Sequence, residues 1–416
     1  MSPESPKSAE SRAPAWLLCS LSGRGLVKAA QRAGRRTACI DAFGDLDTRA
    51  LADAWAHAPM ADACSFEPHA LLAAAAELCP PADCRGLIYG SGFESQPAML
   101  TQLAAGRRLF GNPPEVLAQT GAPARFFPLL RQLGIPHPTV RFSRPPHPRD
   151  WLSKQAGACG GSHILPASAC GDQAGRYFQR YFQRHIQGQP ASLLFLANGS
   201  EIYPVGFNLP LPPPPEAPNA WAWSGAARLA GGLPSQGDAL LVAARRLTQA
   251  LGLRGINGID FILDQRGWKL LELNPRPTAT LELWDVAPMP SLLKLHVQAC
   301  QGRLPTSLPS LPGSLAVAVV YAGEQVSIPA GFVWPDWCSD LPTAGSLIAP
   351  GEPICTVRAA GENNAVATHW AEELRRSILR RLRSTQAHDP IQPQAVRTAH
   401  PANSQPLQTA AEPAWA

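Results

Sequence analysis

The sequence predicts an α/β protein: a doubly wound N-terminal domain, a mixed α+β central part and a small β-rich C-terminal module. Three observations carry this reading. Residues 16–43, WLLCSLSGRGLVKAAQRAGRRTACIDAF, read as strand, glycine-containing turn, helix and strand, the opening of a doubly wound sheet. Residues 258–277, GIDFILDQRGWKLLELNPRP, read as a hairpin rich in β-branched and large apolar residues. After Gln301 the chain turns to short strands and tight turns, SLAVAVVYAGEQVSIP and DLPTAGSLIAPGEPICTVRAAG.

The whole chain sets bounds. Its 416 residues, 45% of them hydrophobic, suffice for about two to four domains with real cores. The net charge of +5 is modest. Part of it comes from Arg375, Arg376, Arg380, Arg381 and Arg383 on a short helix without interleaved aromatics, which reads as a solvated face rather than a nucleic-acid surface. The 10 Cys include no C-x-x-C pair. Cys19, Cys39 and Cys300 lie in apolar or Ala-rich runs and read as buried thiols of a reducing cytoplasm, not a disulfide frame. No apolar run approaches the roughly 20 residues of a membrane helix. The polar start MSPESPKSAESRAP, residues 1–14, reads as a disordered leader. Neither a nucleic acid nor a membrane is expected as partner.

The elements follow in order. In SGRG, Gly23 and Gly25 read as a tight strand–helix turn, since no acidic ribose partner is placed for a phosphate loop. CRGLIYGSGFE is a strand ending in a glycine-rich loop. LLRQLGIPHPTVRF is a helix closed by Gly134 and followed by extended X-Pro chain. WLSKQAGACGGSHI places Lys154 at a strand end before the loop Gly157–Ser162. Glycines let amides approach phosphate, and the ammonium adds a point charge. Side chains this small pack poorly, so the loop is expected to be a mobile flap. His163 beside it reads as packing or surface.

YFQRHIQGQPASLLFLANGS reads as strand, turn, strand, and NLPLPPPPEAPNAWAW as a proline-rich loop. Its Trp221 and Trp223 either pack on the sheet or cover a ring-bearing substrate. DALLVAARRLTQALGL has helical spacing. Cys355, in ICTV, reads as a core thiol rather than a nucleophile. From Ser384 the composition is that of a disordered tail, 384–416.

In the hairpin, a three-residue loop Gln265-Arg266-Gly267 with Gly267 left-handed is the expected closure. Asp264 then faces Trp268, Asp260 faces Glu272, and Asn274 shares their face because strand side chains alternate. Ile259, Phe261, Leu263, Leu271 and Leu273 form the core face. Like charges directly opposite destabilise a sheet, so a cation is expected between them. Three oxygen ligands suit magnesium, which shares its sites with phosphates. Arg276 adds a guanidinium that grips phosphate. Acids simply pointing at water would explain Asp260 or Glu272 alone, but poorly explain all four polar residues in this order.

The series Lys154, Asp260, then Glu272-x-Asn274-x-Arg276, preceded by LGIPHP at Leu133–Pro138, resembles the ATP-grasp superfamily over about residues 85–300. That resemblance implies a Rossmann-like pre-ATP-grasp domain (15–120), a two-lobed ATP-grasp domain (121–302) and a C-terminal module (303–383). It implies ATP with magnesium, or manganese in its place, the metal held by Asp260, Glu272 and Asn274. Lys154 would contact phosphates beneath a flap of Gly160, Gly161 and Ser162. Arg184, His185 and Ile186 would form the adenine hinge, Gln187 would reach the ribose, and Arg276 would stabilise phosphate or an acyl phosphate.

Three departures qualify the pattern. Arg184 stands where the usual hinge Q-E-x-I-x-G has glutamate. TGAPARFF lacks the family's early lysine and offers only Arg125. Gly258 stands where ligases of the D-alanine type carry arginine, so that subgroup is not expected. The phrases YGSGFESQP, GNPPEVL and DLPTAGSLIAPGEPICTV resemble ATP-grasp proteins associated with the tetrahydromethanopterin-linked one-carbon pathway of methylotrophic bacteria. The implied activity is ATP-dependent carboxylate–amine ligation, in making a pterin or furan (tetrahydromethanopterin or methanofuran type) one-carbon carrier, with small-molecule substrates and a homodimer as the candidate assembly. A catalytically idle ATP-binding scaffold, a phosphotransferase and a carboxylase-like enzyme are the alternatives, the last without a biotin-bearing lysine motif.

Overall fold

The computed structural model describes residues 13–170, 180–230 and 236–388. Its first strands are buried on both faces, as a parallel sheet requires. β1 (Ala15–Cys19), β2 (Thr37–Asp41), β3 (Ala54–His57) and, after a small hairpin of β4 (Met60–Asp62) and β5 (Ser65–Phe66), β6 (Cys84–Tyr89) form a sheet in the order β3-β2-β1-β6. Leu17, Leu18, Ile40, Leu87 and Ile88 are fully buried in it. The SGRG turn is a packed one. A Cβ on Gly23 would stand 2.4 Å from Cys39 Sγ, and the Gly23 amide donates to Asp41 Oδ2 at 3.3 Å.

The next lobe is small and antiparallel: β7 (Val140–Arg141), β8 (Trp151–Gln155), β9 (Leu165–Pro166) and β10 (Arg180–Arg184), in the order β7-β10-β8-β9. The helix Pro123–Gln132 leads into it, and Gly134, at φ +64°, turns the chain out of the helix as its sequence predicts.

The third sheet joins what the sequence divides. It contains β11 (Gln189–Asn198), β12 (Ile202–Pro210), β13 (Gly225–Arg228), β14 (Arg254–Asp264), β15 (Gly267–Asn274), β16 (Ser314–Tyr321), β18 (Cys338–Ser339) and β20 (Pro353–Gly361). β17 (Val326–Ser327) and β19 (Leu347–Ile348) pair separately. The strand order β15-β14-β11-β12-β13-β16-β20-β18 is continuous, because β13 pairs with β16. Beyond residue 303, β16, β18 and β20 therefore extend the central sheet, and only the short β17–β19 pair stands apart from it.

One face of this sheet is covered by the helix Gly237–Leu251, whose Leu240, Ala243, Ala244 and Leu247 meet Ile259, Phe261, Leu270 and Leu273. The helix Leu292–Cys300 takes part in a second core, which joins Leu194, Leu196 and Ile256 to Trp16, Leu18 and Val27 of the first domain. The helix Asn364–His388 buries Ala367, Ala371, Ile378 and Leu382 and continues past Ser384, where the composition changes. Its basic run is not uniformly solvated: Arg375 is buried and donates to Glu372 and to the Ser224 carbonyl, whereas Arg376 is exposed. No helix among the described residues is long and apolar enough to cross a membrane.

Candidate active site

The hairpin brings Asp260 opposite Glu272 and Gly258 opposite Asn274, so Asp260, Glu272 and Asn274 share one face. Two details differ from expectation. The turn has two residues, Gln265 and Arg266, so Leu263 rather than Asp264 faces Trp268. A bulge then follows, with Asp260 paired to Glu272 but Phe261 paired to Leu270. The extra residue is Leu271, which lines the cleft, while Leu270 takes the core place expected of Leu271. Bulges commonly re-aim side chains beside active sites.

The two carboxylates are half-buried and strained electrostatically. Burial raises Asp260 to about 6, although Lys154, Arg276 and a hydrogen bond from Asn274 favour its charge. Burial and then the charge of Asp260 raise Glu272 to about 7, against Lys154 and Arg276. Lys154, on β8 opposite Tyr181, is itself buried. Burial lowers its ammonium, while Glu272 and Asp260 pull it back up.

Asn274 orders the cluster. Its Nδ2 donates to Asp260 Oδ2 at 2.9 Å, and its Oδ1 accepts from Arg276 at 3.2 Å. Among the described residues no group of three or more His, Cys, Asp or Glu is arranged to hold a metal. The trio here is two carboxylates and an amide oxygen, all hard donors. Two opposed acids with raised proton affinity leave negative charge to be neutralised, and that donor set fits a magnesium-type cation.

Two residues at the cleft carry no site role in the sequence reading. Glu94, just beyond β6, forms an ion pair with Arg276, and its other oxygen accepts from the Gly92 and Phe93 amides at 2.9 and 3.0 Å. Its position was a usable signal, since α/β folds bind ligands beyond the carboxyl ends of parallel strands. His163 lines the cleft with Lys154, and its Nδ1 is buried without a partner among the described residues. Burial, then Lys154, pushes its imidazole down to about 4, so it stays neutral.

The flap is not loose here. The Trp223 amide donates to Gly160 O at 2.8 Å, and Asn219 Nδ2 donates to Ser162 O at 2.8 Å. Asn219 and the main chain at 221–223 thus fasten the loop, while the Trp223 ring packs by Ala222, Val319 and Tyr321. With the loop down, the enclosed space is about 50 Å³, far below the roughly 300–1,000 Å³ of a small-molecule site. A nucleotide therefore requires the lobes or the loop to open.

The proposed hinge is not brought to the closed cleft. Arg184 pairs with Asp150 at 3.3 Å, and His185 and Gln187 are exposed beside half-buried Ile186. Arg125 is exposed on its helix. A separate open groove of about 420 Å³ lies between Leu209–Pro212 and the start of the last helix, away from these groups.

Residues 125–280 match the family model of the ATP-grasp domain. No curated protein matches the sequence. Among solved structures, the biotin carboxylase domain of 2-oxoglutarate carboxylase from Hydrogenobacter thermophilus is 12% identical, with a TM-score of 0.64 over 84% of this chain and 87% of that one. Biotin carboxylase from Campylobacter jejuni gives 12% and 0.61 over 84% and 88%. N5-carboxyaminoimidazole synthase from Aspergillus clavatus gives 13% and 0.62 over 88% and 99%. At such identities the likeness is one of fold. The chain carries an ATP-grasp domain, set in the fold that these proteins share.

Proposed function

We propose that the chain is an ATP-dependent ligase that joins a small-molecule carboxylate to an amine through an acyl phosphate. The observation that carries this is the meeting of Lys154, Glu272 and Asn274 at one cleft, with Asp260 and Arg276 hydrogen-bonded to Asn274 behind it.

Asp260, Glu272 and Asn274 would hold magnesium, which when bound neutralises phosphate charge; manganese accepts the same donors. Lys154 binds phosphate as a point charge. Arg276, oriented by Glu94 and Asn274, offers its fork to the phosphoryl oxygens. A carboxylate oxygen of the substrate attacks the γ-phosphorus, and ADP leaves. The amine nitrogen then attacks the acyl carbon and displaces phosphate. Neutral His163 offers a ring nitrogen to the amine N–H. The chain supplies positioning and charge stabilisation.

The roles of Gly160, Gly161 and Ser162 toward phosphate, and of Arg184, His185, Ile186 and Gln187 toward adenine and ribose, rest on the family resemblance. So does the substrate class, a pterin- or furan-type one-carbon carrier precursor. One observation favours a second reading. The Hydrogenobacter carboxylase domain was solved with bicarbonate. In that reading bicarbonate replaces the organic carboxylate.

Phosphate release with magnesium–ATP and panels of pterin- and furan-type carboxylates and amines tests the proposal. It requires release that depends on both partners. Glu272→Gln should fold normally and lose turnover by about 100-fold or more. Release that needs only bicarbonate and an amine would favour carboxylation. No release with any panel, or near-normal turnover of the variant, would contradict the ligase reading.

A further inference from the structure

Two cysteines fasten the loop over the cleft to the N-terminal domain. Cys64 occupies the β4–β5 turn, where its amide donates to Asp62 Oδ1 at 2.8 Å. This anchor is firm, since Ser65 and Phe66 are fully buried and Gln96 donates to Ser65 Oγ at 3.3 Å. Cys159 lies 95 residues further on, within the loop Gly157–Ser162. Its amide donates to Cys64 Sγ at 3.3 Å, and the Cys64 thiol donates back to its carbonyl oxygen at 3.5 Å.

The surroundings hold the pair in register. Gly157 lies so near the first domain that a Cβ would stand 2.8 Å from Ser95 Cα. On the other side, Trp223 and Asn219 hold Gly160 and Ser162. Cys84 raises the Cys79 thiol, and burial and then Cys338 raise that of Cys355, but each of these pairs lies within one part of the fold. Among the described residues, the Cys64–Cys159 contact is the thiol pair that spans from the body of the protein to the loop over the cleft.

We propose that Cys64 and Cys159 form a reversible disulfide that locks the loop down over the cleft. Hydrogen peroxide is the oxidant class. The Cys64 thiolate attacks one peroxide oxygen, an S–O bond forms, the O–O bond breaks, and hydroxide leaves as water after taking a proton. The Cys159 sulfur then attacks the sulfenic sulfur. An S–S bond forms, the S–O bond breaks, and the departing oxygen leaves as water with the Cys159 proton. Two thiols and one peroxide give one disulfide and two waters, with two electrons passing from sulfur to oxygen. A small-molecule thiol reverses it by exchange. Hydrogen bonding with Cys159 draws the Cys64 thiol below its ordinary range, against burial and the charges of Asp62 and Glu94, which favours Cys64 as the attacking sulfur. The consequence for nucleotide binding rests on the ATP reading above; the disulfide does not.

The full chain, reduced or treated with stoichiometric hydrogen peroxide, provides the test. Non-reducing peptide mapping should find Cys64 linked to Cys159 in most molecules, reversed by dithiothreitol. Hydrogen exchange across residues 157–164 should slow at least tenfold in the oxidised form. The thermal shift caused by magnesium–ATP should vanish on oxidation and return on reduction, and Cys64→Ser should keep it after peroxide. Should Cys64→Ser fail to fold, Cys159→Ser serves as the linkage control. Absence of the linked peptide, or unchanged loop exchange once it forms, overturns the proposal. Absence of an ATP shift in the reduced protein counts against the nucleotide reading instead, and mapping and exchange still decide the disulfide.

Discussion

Glu94, from the loop after β6, holds the guanidinium of Arg276, from the end of β15. Arg276 Nε donates to Glu94 Oε1, while Glu94 Oε2 accepts from two amides of its own loop. One carboxylate therefore orders a loop of the first domain and aims the cation expected to meet phosphate. The side chains are 9% and 11% exposed, so water cannot replace either partner.

Removing one side of this pair should be costly. Glu94→Ala leaves Arg276 desolvated and frees the Gly92 and Phe93 amides, a loss of about 3 kcal/mol. Denaturant unfolding measures it. A loss below about 1 kcal/mol, as for a surface pair, would mean that the two groups do not depend on each other.

Adjacent glycines of the loop should respond differently to alanine. Both lie at positive φ, +73° for Gly160 and +77° for Gly161. A Cβ on Gly160 meets nothing within 4 Å, so Gly160→Ala costs only its backbone strain, about 1 kcal/mol. A Cβ on Gly161 would stand 1.8 Å from Trp221 O, so Gly161→Ala must push the loop off the proline-rich segment. Hydrogen exchange should show residues 157–164 loosened in Gly161→Ala and nearly unchanged in Gly160→Ala. Equal effects would show that the loop does not rest on Trp221.

His296 should make stability fall in acid. Its Nδ1 accepts from the Ile256 amide at 2.9 Å and its Nε2 donates to Phe110 O at 3.0 Å, which ties the central sheet to the first domain. Burial pushes it down to about 4, against the Phe110 carbonyl, from an ordinary value of 6.5. A depressed folded value leaves the stabilisation complete above pH 6.5 and removes it as pH falls toward 4, on the order of 3 kcal/mol in all. Asp260 and Glu272, raised on folding, act with the opposite sign in part of this window. The informative quantity is thus wild type minus His296→Gln. That difference should shrink between pH 6.5 and 4, and a difference independent of pH would contradict the assignment.

The hairpin shows why some features could be read from sequence and others not. Asp260 faces Glu272 as expected, although the route was wrong: the turn is one residue shorter and a bulge at Leu271 makes up the difference. Alternation is a local rule and survives such a shift. The bulge answers to packing, because Leu270 must reach the core that Phe261 and Leu273 share. Gly134 was likewise legible, since it acts through its own backbone. Glu94, His163 and the join between β13 and β16 were not, because each depends on partners far away in sequence. What fastens the flap was not legible for the same reason. Its side chains are too small to pack themselves, but Asn219, Trp223 and Cys64 hold them.

The proposed ligase must bind magnesium–ATP between Lys154 and the Asp260–Asn274 strands. Thermal unfolding of the reduced protein, with and without magnesium–ATP, tests it most directly. A ligand that binds only the folded state at 100 times its Kd stabilises by about 2.7 kcal/mol. The expected result is a raised midpoint that needs magnesium and is much smaller in Lys154→Ala. An unchanged midpoint at millimolar magnesium–ATP, or an equal shift in the variant, would contradict it.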